Sequence, residues 1–239
     1  MASSTRSAFI RPVTPKDTPA LSKICLLTAD AGISAALNHS ENPGHEFPGN
    51  VYAVPYAVLK NTFGFVLVVK DTTESGEEEV VGYTLGATDT RAFEAEAERD
   101  WYPNLRERFP LSLSQDPGAD SIESNLTAED KRYIGLFHKP DSAYEACIEF
   151  SPAHLHIDIL PEFQRQGWGR KLIDTAIRYL YKEGKTADGT KLEGVWLGMD
   201  PRNKEAAAFY ERIGFTHVEE APESYVGIKF VHWIKRYGD

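Results

Sequence analysis

Long apolar runs are missing from this 239-residue sequence. Nothing in it approaches the roughly 20 consecutive apolar residues that span a bilayer, so no membrane partner is expected. Residues 1–8 are polar and hold no apolar stretch of signal-peptide length. A cytoplasmic protein is therefore expected, with the nucleus also open to it. Cysteine is scarce. Cys25 and Cys147 are the only two, and neither sits in a C-x-x-C pair, which predicts buried thiols rather than a disulfide. Asn38-His39-Ser40 and Asn125-Leu126-Thr127 fit the glycosylation sequon; without a secretory signal they read as chance matches. Positive charge is short too, with 26 Lys and Arg against 36 Asp and Glu and a net charge of −10. Nucleic-acid binding depends on basic clusters against phosphate, so nucleic acid is not an expected partner. The charge permits a cationic substrate without identifying one.

What is present suits an ordinary globular chain. Apolar residues make up 41%, enough for a sizeable core. The length favours one domain, 1–239, over two small ones. Residues 9–12 read as a first strand, and Leu21, Ile24, Cys25 and Thr28 recur at helical spacing. Residues 44–56, rich in Gly, Pro and aromatics, read as a structured loop or broken helix. Residues 64–70 and 80–87 form a strand pair around an acidic turn with Ser75-Gly76. An inserted helical and loop region follows, about 90–147. In it residues 92–109 are helical in composition, and 110–130 read as a polar, acidic loop. From residue 154 the pattern runs strand (154–160), turn (161–167), apolar helix (Leu172, Ile173, Ala176, Ile177, Leu180), strand (195–199), helix (Ala206, Ala207, Tyr210, Ile213) and strand (216–218, 225–233). That order predicts an α/β fold.

Gln164-Arg165-Gln166-Gly167-Trp168-Gly169-Arg170-Lys171 joins a strand to a helix. Its glycines allow turns closed to other residues, and a helix N-terminus directs free N–H groups at an anion. Arg165, Arg170 and Lys171 add positive side chains, so the turn suits a pyrophosphate. A Rossmann fingerprint would need a third glycine where Leu172 stands, and the P-loop spacing is absent.

Gln164, Gly167 and Gly169 match the Q/R-x-x-G-x-G/A signature of the GNAT acetyltransferases. Residues 203–215, Asn-Lys-Glu-Ala-Ala-Ala-Phe-Tyr-Glu-Arg-Ile-Gly-Phe, resemble that superfamily's N-x-x-A-x-x-F-Y-x-x-x-G-F segment, in the same order. A narrower resemblance rests on Ile10-Arg11-Pro12, Lys23-Ile24-Cys25, Gly82-Tyr83-Thr84-Leu85-Gly86, Asp89-Thr90-Arg91-Ala92-Phe93 and His154-Leu155-His156-Ile157-Asp158. These look like the acetyltransferase-like C-terminal domain of O-GlcNAcase and its free-standing microbial relatives. The chain has no room for a glycoside hydrolase domain, so hexosaminidase activity is not expected. The resemblance implies a GNAT fold, a mixed central sheet with splayed strands flanked by helices. It implies acetyl-CoA as cofactor and an amine, in a small molecule or a peptide, as acceptor; a homodimer stays open.

Acetyl transfer needs a neutral amine. A lysine-like amine of pKa ~10.4 costs roughly 4–5 kcal/mol to deprotonate at pH 7, so a base or a water chain must take its proton. The oxyanion needs N–H donors, and the departing thiolate benefits from a proton. By the resemblance, the backbone at Ile157, Ile159 and Leu160 pairs with the pantetheine arm. Backbone N–H groups of Gln166, Gly167, Trp168, Gly169 and Arg170 hold the pyrophosphate, with Gln164, Arg165 and Lys171 as further cofactor-binding residues. Asn203 and Phe209 also contact the cofactor, and Tyr210 stands near sulfur as general acid. Asn203 equally suits a helix cap, and Tyr210 a core aromatic. His154, His156 and Asp158 alternate, so they share one face of their strand. His156 or Asp158 is the candidate base; Asp89, His154 and Asp200 are candidate acceptor-binding groups, each with a structural hydrogen-bond role as the alternative. A catalytically inactive CoA- or peptide-binding protein is the second reading of the chain. A metallo-hydrolase built on His154-x-His156-x-Asp158 is a third, although no metal is expected.

Overall fold

The computed structural model describes residues 6–71, 77–114 and 125–238. Among them, seven strands build one sheet: β1 (Arg6–Pro12), β2 (Thr62–Asp71), β3 (Glu78–Ala87), β4 (His154–Ile159), β5 (Gly194–Gly198), β6 (Thr216–His217) and β7 (Tyr225–Lys229). They lie in the order β1-β2-β3-β4-β5-β7-β6. Every neighbouring pair is antiparallel except β4 and β5, which run parallel. The sheet is therefore mixed, with helices on both faces. The acidic turn around Ser75 and Gly76, and residues 115–124 of the polar segment, lie outside the described residues.

One face is covered by α8 (Trp168–Glu183), α9 (Lys204–Ile213) and α10 (Phe230–Tyr237). The stripe Leu172, Ile173, Ala176, Ile177 and Leu180 on α8 is fully buried. Its last four residues pack with Phe63, Leu155, Val195 and Leu197 from the sheet. Each such leucine or isoleucine contributes about 1.5–3 kcal/mol on leaving water. Gly214 ends α9 in the left-handed conformation, φ 104°, which glycine adopts without strain.

The other face carries α1 (Thr18–Leu26), α2 (Phe47–Tyr52), α3 (Pro55–Val58), α4 (Thr90–Glu96) and α7 (Glu145–Phe150). Of the two readings of residues 44–56, structured loop or broken helix, the structure has the broken helix. The helical composition of 92–109 resolves into α4, a π-helical turn (Ala97–Trp101) and α5 (Tyr102–Arg108). With α2 and α6 (Ala128–His138) these form a separate small core around Phe47, Tyr102, Phe109, Ile134 and Phe137.

Two expectations need correction. The polar segment 110–130 does not continue as loop to its end. Thr127 caps α6 by accepting from Asp130 N–H, and the Asp130 carboxylate accepts from Thr127 N–H. That carboxylate also takes the Ser40 N–H at 3.0 Å and His39 Nδ1 at 2.7 Å, which ties α6 to the loop before α2. Residues 225–233, expected as strand throughout, leave the sheet at Lys229 and enter α10. Phe230 and Trp233 then fall three apart on one helical face, and both are buried.

Candidate active site

Strands β4 and β5 pair at one position only, His154 with Trp196. Beyond it they part. Leu160 N–H donates to Val81, so the even-numbered residues of β4 face β3 with their backbone groups. The odd-numbered residues turn theirs to the other edge. At Ile157 and Ile159 that edge faces the gap, where β5 supplies no partner. The Gln164 side chain donates to the Ile159 carbonyl at 2.7 Å, which anchors the following turn to the end of the strand.

A short 3-10 turn, Pro161–Phe163, leads from β4 to the phosphate-type turn. Gly167 has φ 83°, and α8 starts at the next residue. No atom would touch a Cβ placed on Gly167; this glycine is required by its backbone angle, not by crowding. Gly169 is the reverse case, because an added Cβ would stand 3.1 Å from the Phe209 ring. Gly169 thus lets α8 approach α9. The N–H groups of residues 165–170 bond no backbone oxygen, so a row of donors lies open at the helix N-terminus. Arg165 is exposed and forks onto Glu205 at 2.8 Å and 2.9 Å. Lys171 lies 4.0 Å over the Trp168 ring, Arg170 stacks on Tyr237, and the Gln166 amide bonds Glu162. These side chains are occupied locally; the free donors are backbone.

A cavity of about 680 Å³ opens beside β4, walled by β5, α9 and the α4–α6 region. His156, Asp158, Asn203 and Tyr210 all line it. Tyr83 donates to Asp158 Oδ2 at 2.7 Å. Burial pushes the Asp158 carboxyl up to about 6, with the Tyr83 and Thr28 hydrogen bonds opposing. Burial likewise pushes His156 down to about 4. Tyr210 is 7% exposed, and burial with the nearby Asp158 charge raises its phenol. Its hydroxyl is not sealed from the cavity. Asn203 serves as helix cap, accepting from Ala206 N–H at 3.0 Å; its amide nitrogen stays on the cavity side, facing Gly32.

Of the three acceptor-site candidates, two line the cavity, His154 and Asp200. Asp89 does not line the cavity. It caps α4 through Ala92 N–H at 3.0 Å and bonds Ala187 N–H at 3.1 Å, so its location differs from the expected amine-binding role. His154 is 5% exposed, and both its nitrogens are taken, by Tyr56 at 2.8 Å and Thr90 at 2.7 Å. It is part of the wall. Asp200 does reach the rim, but Arg202 holds its carboxylate at 2.7 Å and keeps it below the usual range. The metal reading also meets a geometric obstacle. Among the described residues no three His, Cys, Asp or Glu groups are placed to share an ion, and one Tyr56 hydroxyl holds Nε2 of both histidines.

Tyr52, Tyr56 and Tyr83 were not singled out from sequence, nor was Thr90. Tyr52 and Tyr56 belong to the aromatic-rich stretch 44–56. Tyr83 and Thr90 lie inside segments that carry the family resemblance, where a role for each was legible only once β3 and β4 were paired.

Over residues 126–217 the chain matches the family model of the acetyltransferase (GNAT) domain. It is also 31% identical to the protein in the crystal structure of SsHAT, over 94% of this chain and 98% of that one, with a TM-score of 0.73. This chain belongs to the GNAT acetyltransferases. A crystal structure of AtaTR bound with AcCoA shares the fold at 14% identity, with a TM-score of 0.50 over 96% of this chain and 98% of that one. The family's chemistry is acetyl transfer, which places this GNAT protein among the acyltransferases. Among the described residues, no helix is long and apolar enough to cross a membrane.

Proposed function

We propose that this GNAT protein is an acetyl-CoA-dependent N-acetyltransferase that passes the acetyl group directly from the thioester to an amine. One observation carries the reading. The open edge of β4 runs straight into a turn of free N–H donors, while Asp158 and Tyr210 face the same cavity. The donor set fits the group: pantetheine amides can pair with Ile157 and Ile159, and a pyrophosphate with the N–H groups of 165–170. When bound, acetyl-CoA supplies an activated acyl carbon and a thiolate leaving group.

The protein's own groups do the rest. Asp158, raised to about 6, is ionised near neutrality and takes a proton from the incoming ammonium, directly or through water. The open N–H group of Ile157 is a donor for negative charge on the carbonyl oxygen, leaving the Ile157 carbonyl and the Ile159 N–H for the pantetheine amides. As the N–C bond forms and the C–S bond breaks, Tyr210 gives its phenolic proton to sulfur. The second amine proton replaces it, and the first leaves to solvent. The products are an N-acetyl amine and the free thiol.

The acceptor is a primary amine of a small molecule or peptide, in a cytoplasmic or nuclear setting. The kinship is with the acetyltransferase-like domain of O-GlcNAcase, a reading supported by the motif segments on β1, β3 and β4. Titration calorimetry with acetyl-CoA and CoA tests the cofactor, and mass spectrometry across an amine panel tests the transfer. Micromolar binding with product formation is expected. Absence of CoA binding at millimolar concentration overturns the reading; binding without product on any amine leaves a CoA-binding protein instead.

A further inference from the structure

Beside the cavity runs a chain of hydrogen bonds that no catalytic step above uses. It starts at the Pro152 carbonyl, which can only accept. Thr90 Oγ1 lies 2.6 Å from that oxygen, so the single hydroxyl proton of Thr90 points there. Thr90 Oγ1 is also 2.7 Å from His154 Nδ1. Having spent its proton, the hydroxyl must accept, and Nδ1 must carry the hydrogen. Burial keeps His154 neutral, which leaves its Nε2 bare. Tyr56 Oη, at 2.8 Å, therefore donates to that Nε2. The Tyr56 oxygen then accepts from His156 Nε2 at 3.0 Å. The ring of Tyr56 cannot turn away, since it stacks on Phe93 at 4.5 Å and 15°.

The polarity has one sense only. Reversing it would aim the Thr90 proton at His154 and leave two oxygens 2.6 Å apart with no hydrogen between them. His156 thus has its hydrogen on Nε2 and a lone pair on Nδ1. That Nδ1 bonds no described protein group and is not sealed off, and His156 lines the cavity. We propose that Tyr56 is a positioning residue: it holds His154 and His156 in opposite tautomers and so presents the Nδ1 lone pair of His156 to the cavity, where it accepts a hydrogen bond from the N–H of the amine substrate. The inference deepens the acetyltransferase reading by assigning the group that orients the acceptor. It selects acceptors with an N–H to donate at the reacting nitrogen beyond the proton given to Asp158.

The test is long-range 1H–15N spectroscopy of the whole protein labelled at histidine, with His156→Gln to assign the signals. The expected result is a hydrogen on Nε2 of His156 and on Nδ1 of His154. Equal tautomers, or a hydrogen on Nδ1 of His156, overturn the proposal. Tyr56→Phe should let the two His156 tautomers average and raise the amine KM about tenfold, the scale of one lost hydrogen bond, with the acetyl-CoA KM unchanged. Thr90→Ser should preserve the opposite tautomers and Thr90→Val should lose them. An unchanged amine KM in Tyr56→Phe, or intact tautomers in Thr90→Val, also counts against the proposal. If Tyr56→Phe does not fold, the wild-type spectrum still decides. The two readings fail separately: absence of turnover on every amine removes the enzyme, whereas turnover with equal tautomers removes only this assignment.

Discussion

The phosphate-type turn follows the end of β4, the acceptor cavity lies along its polar face, and the two are built in opposite ways. The turn is contiguous, residues 164–171, and offers backbone N–H groups while Arg165 pairs with Glu205 and Arg170 and Lys171 lie over nearby rings. The cavity is assembled from side chains far apart in sequence: Tyr56 reaches His156 across 100 residues and Tyr83 reaches Asp158 across 75. A backbone device needs only a conformation. A side-chain device needs pairing, burial and defined proton positions. Substitutions in the two regions should therefore fail differently.

The largest effect is expected from Tyr210→Phe at the junction of the two regions. Removing a general acid should lower kcat by about a hundredfold or more, with the acetyl-CoA KM nearly unchanged. A loss of cofactor affinity with intact kcat would move Tyr210 from the chemistry to cofactor binding. Next is Gly167→Val. A β-branched residue at φ 83° is strained by about 1–3 kcal/mol, and the turn should distort. Acetyl-CoA affinity should fall at least tenfold, while the amine KM should change little. Equal loss for both substrates would erase the contrast between the regions.

Asp158 sharpens it further. Its carboxyl is raised to about 6 in the folded protein, against an ordinary value near 4. The folded state therefore binds more protons between about pH 4 and 6, and stability falls as pH rises through that window. Asp158→Asn should lower kcat/KM, by less than Tyr210→Phe does, and raise stability at pH 8 by about 1–3 kcal/mol. In the wild type, kcat/KM should fall as pH drops through about 6. A denaturant titration showing Asp158→Asn to be less stable at pH 8 would remove the burial argument. The smallest effect is expected at Asp89, which belongs to neither region. Asp89→Ala loses the α4 cap, about 1 kcal/mol of stability, and should leave both KM values in place. A raised amine KM would return Asp89 to the acceptor site.

The same contrast explains what was legible beforehand. The turn, the buried stripe of α8 and the Asn203–Phe215 segment are local patterns, so sequence order alone exposed them. The polar face of β4 was also legible from its alternation, His154, His156, Asp158. Which of those three reaches the substrate was not, because that depends on Tyr56, Tyr83 and Thr90 arriving from other elements. Asp89 misled for a related reason. It follows a strand, as an acceptor-site group would, but Ala92 and Ala187 claim it. α10 was masked by residues that suit a strand and a helix equally, until burial of Phe230 and Trp233 chose the helical spacing.

The single bridge between His154 and Trp196 has a mechanical meaning as well. It divides the sheet into two leaves, four strands on one side and three on the other, joined along a seam with almost no ladder of its own. Anything that lodges in the seam and bonds both leaves would act as a stitch. Amide protons along β5 and β7 should then exchange sooner than those of β2 and β3 in the free protein, and the gap between the leaves should narrow when the seam is filled.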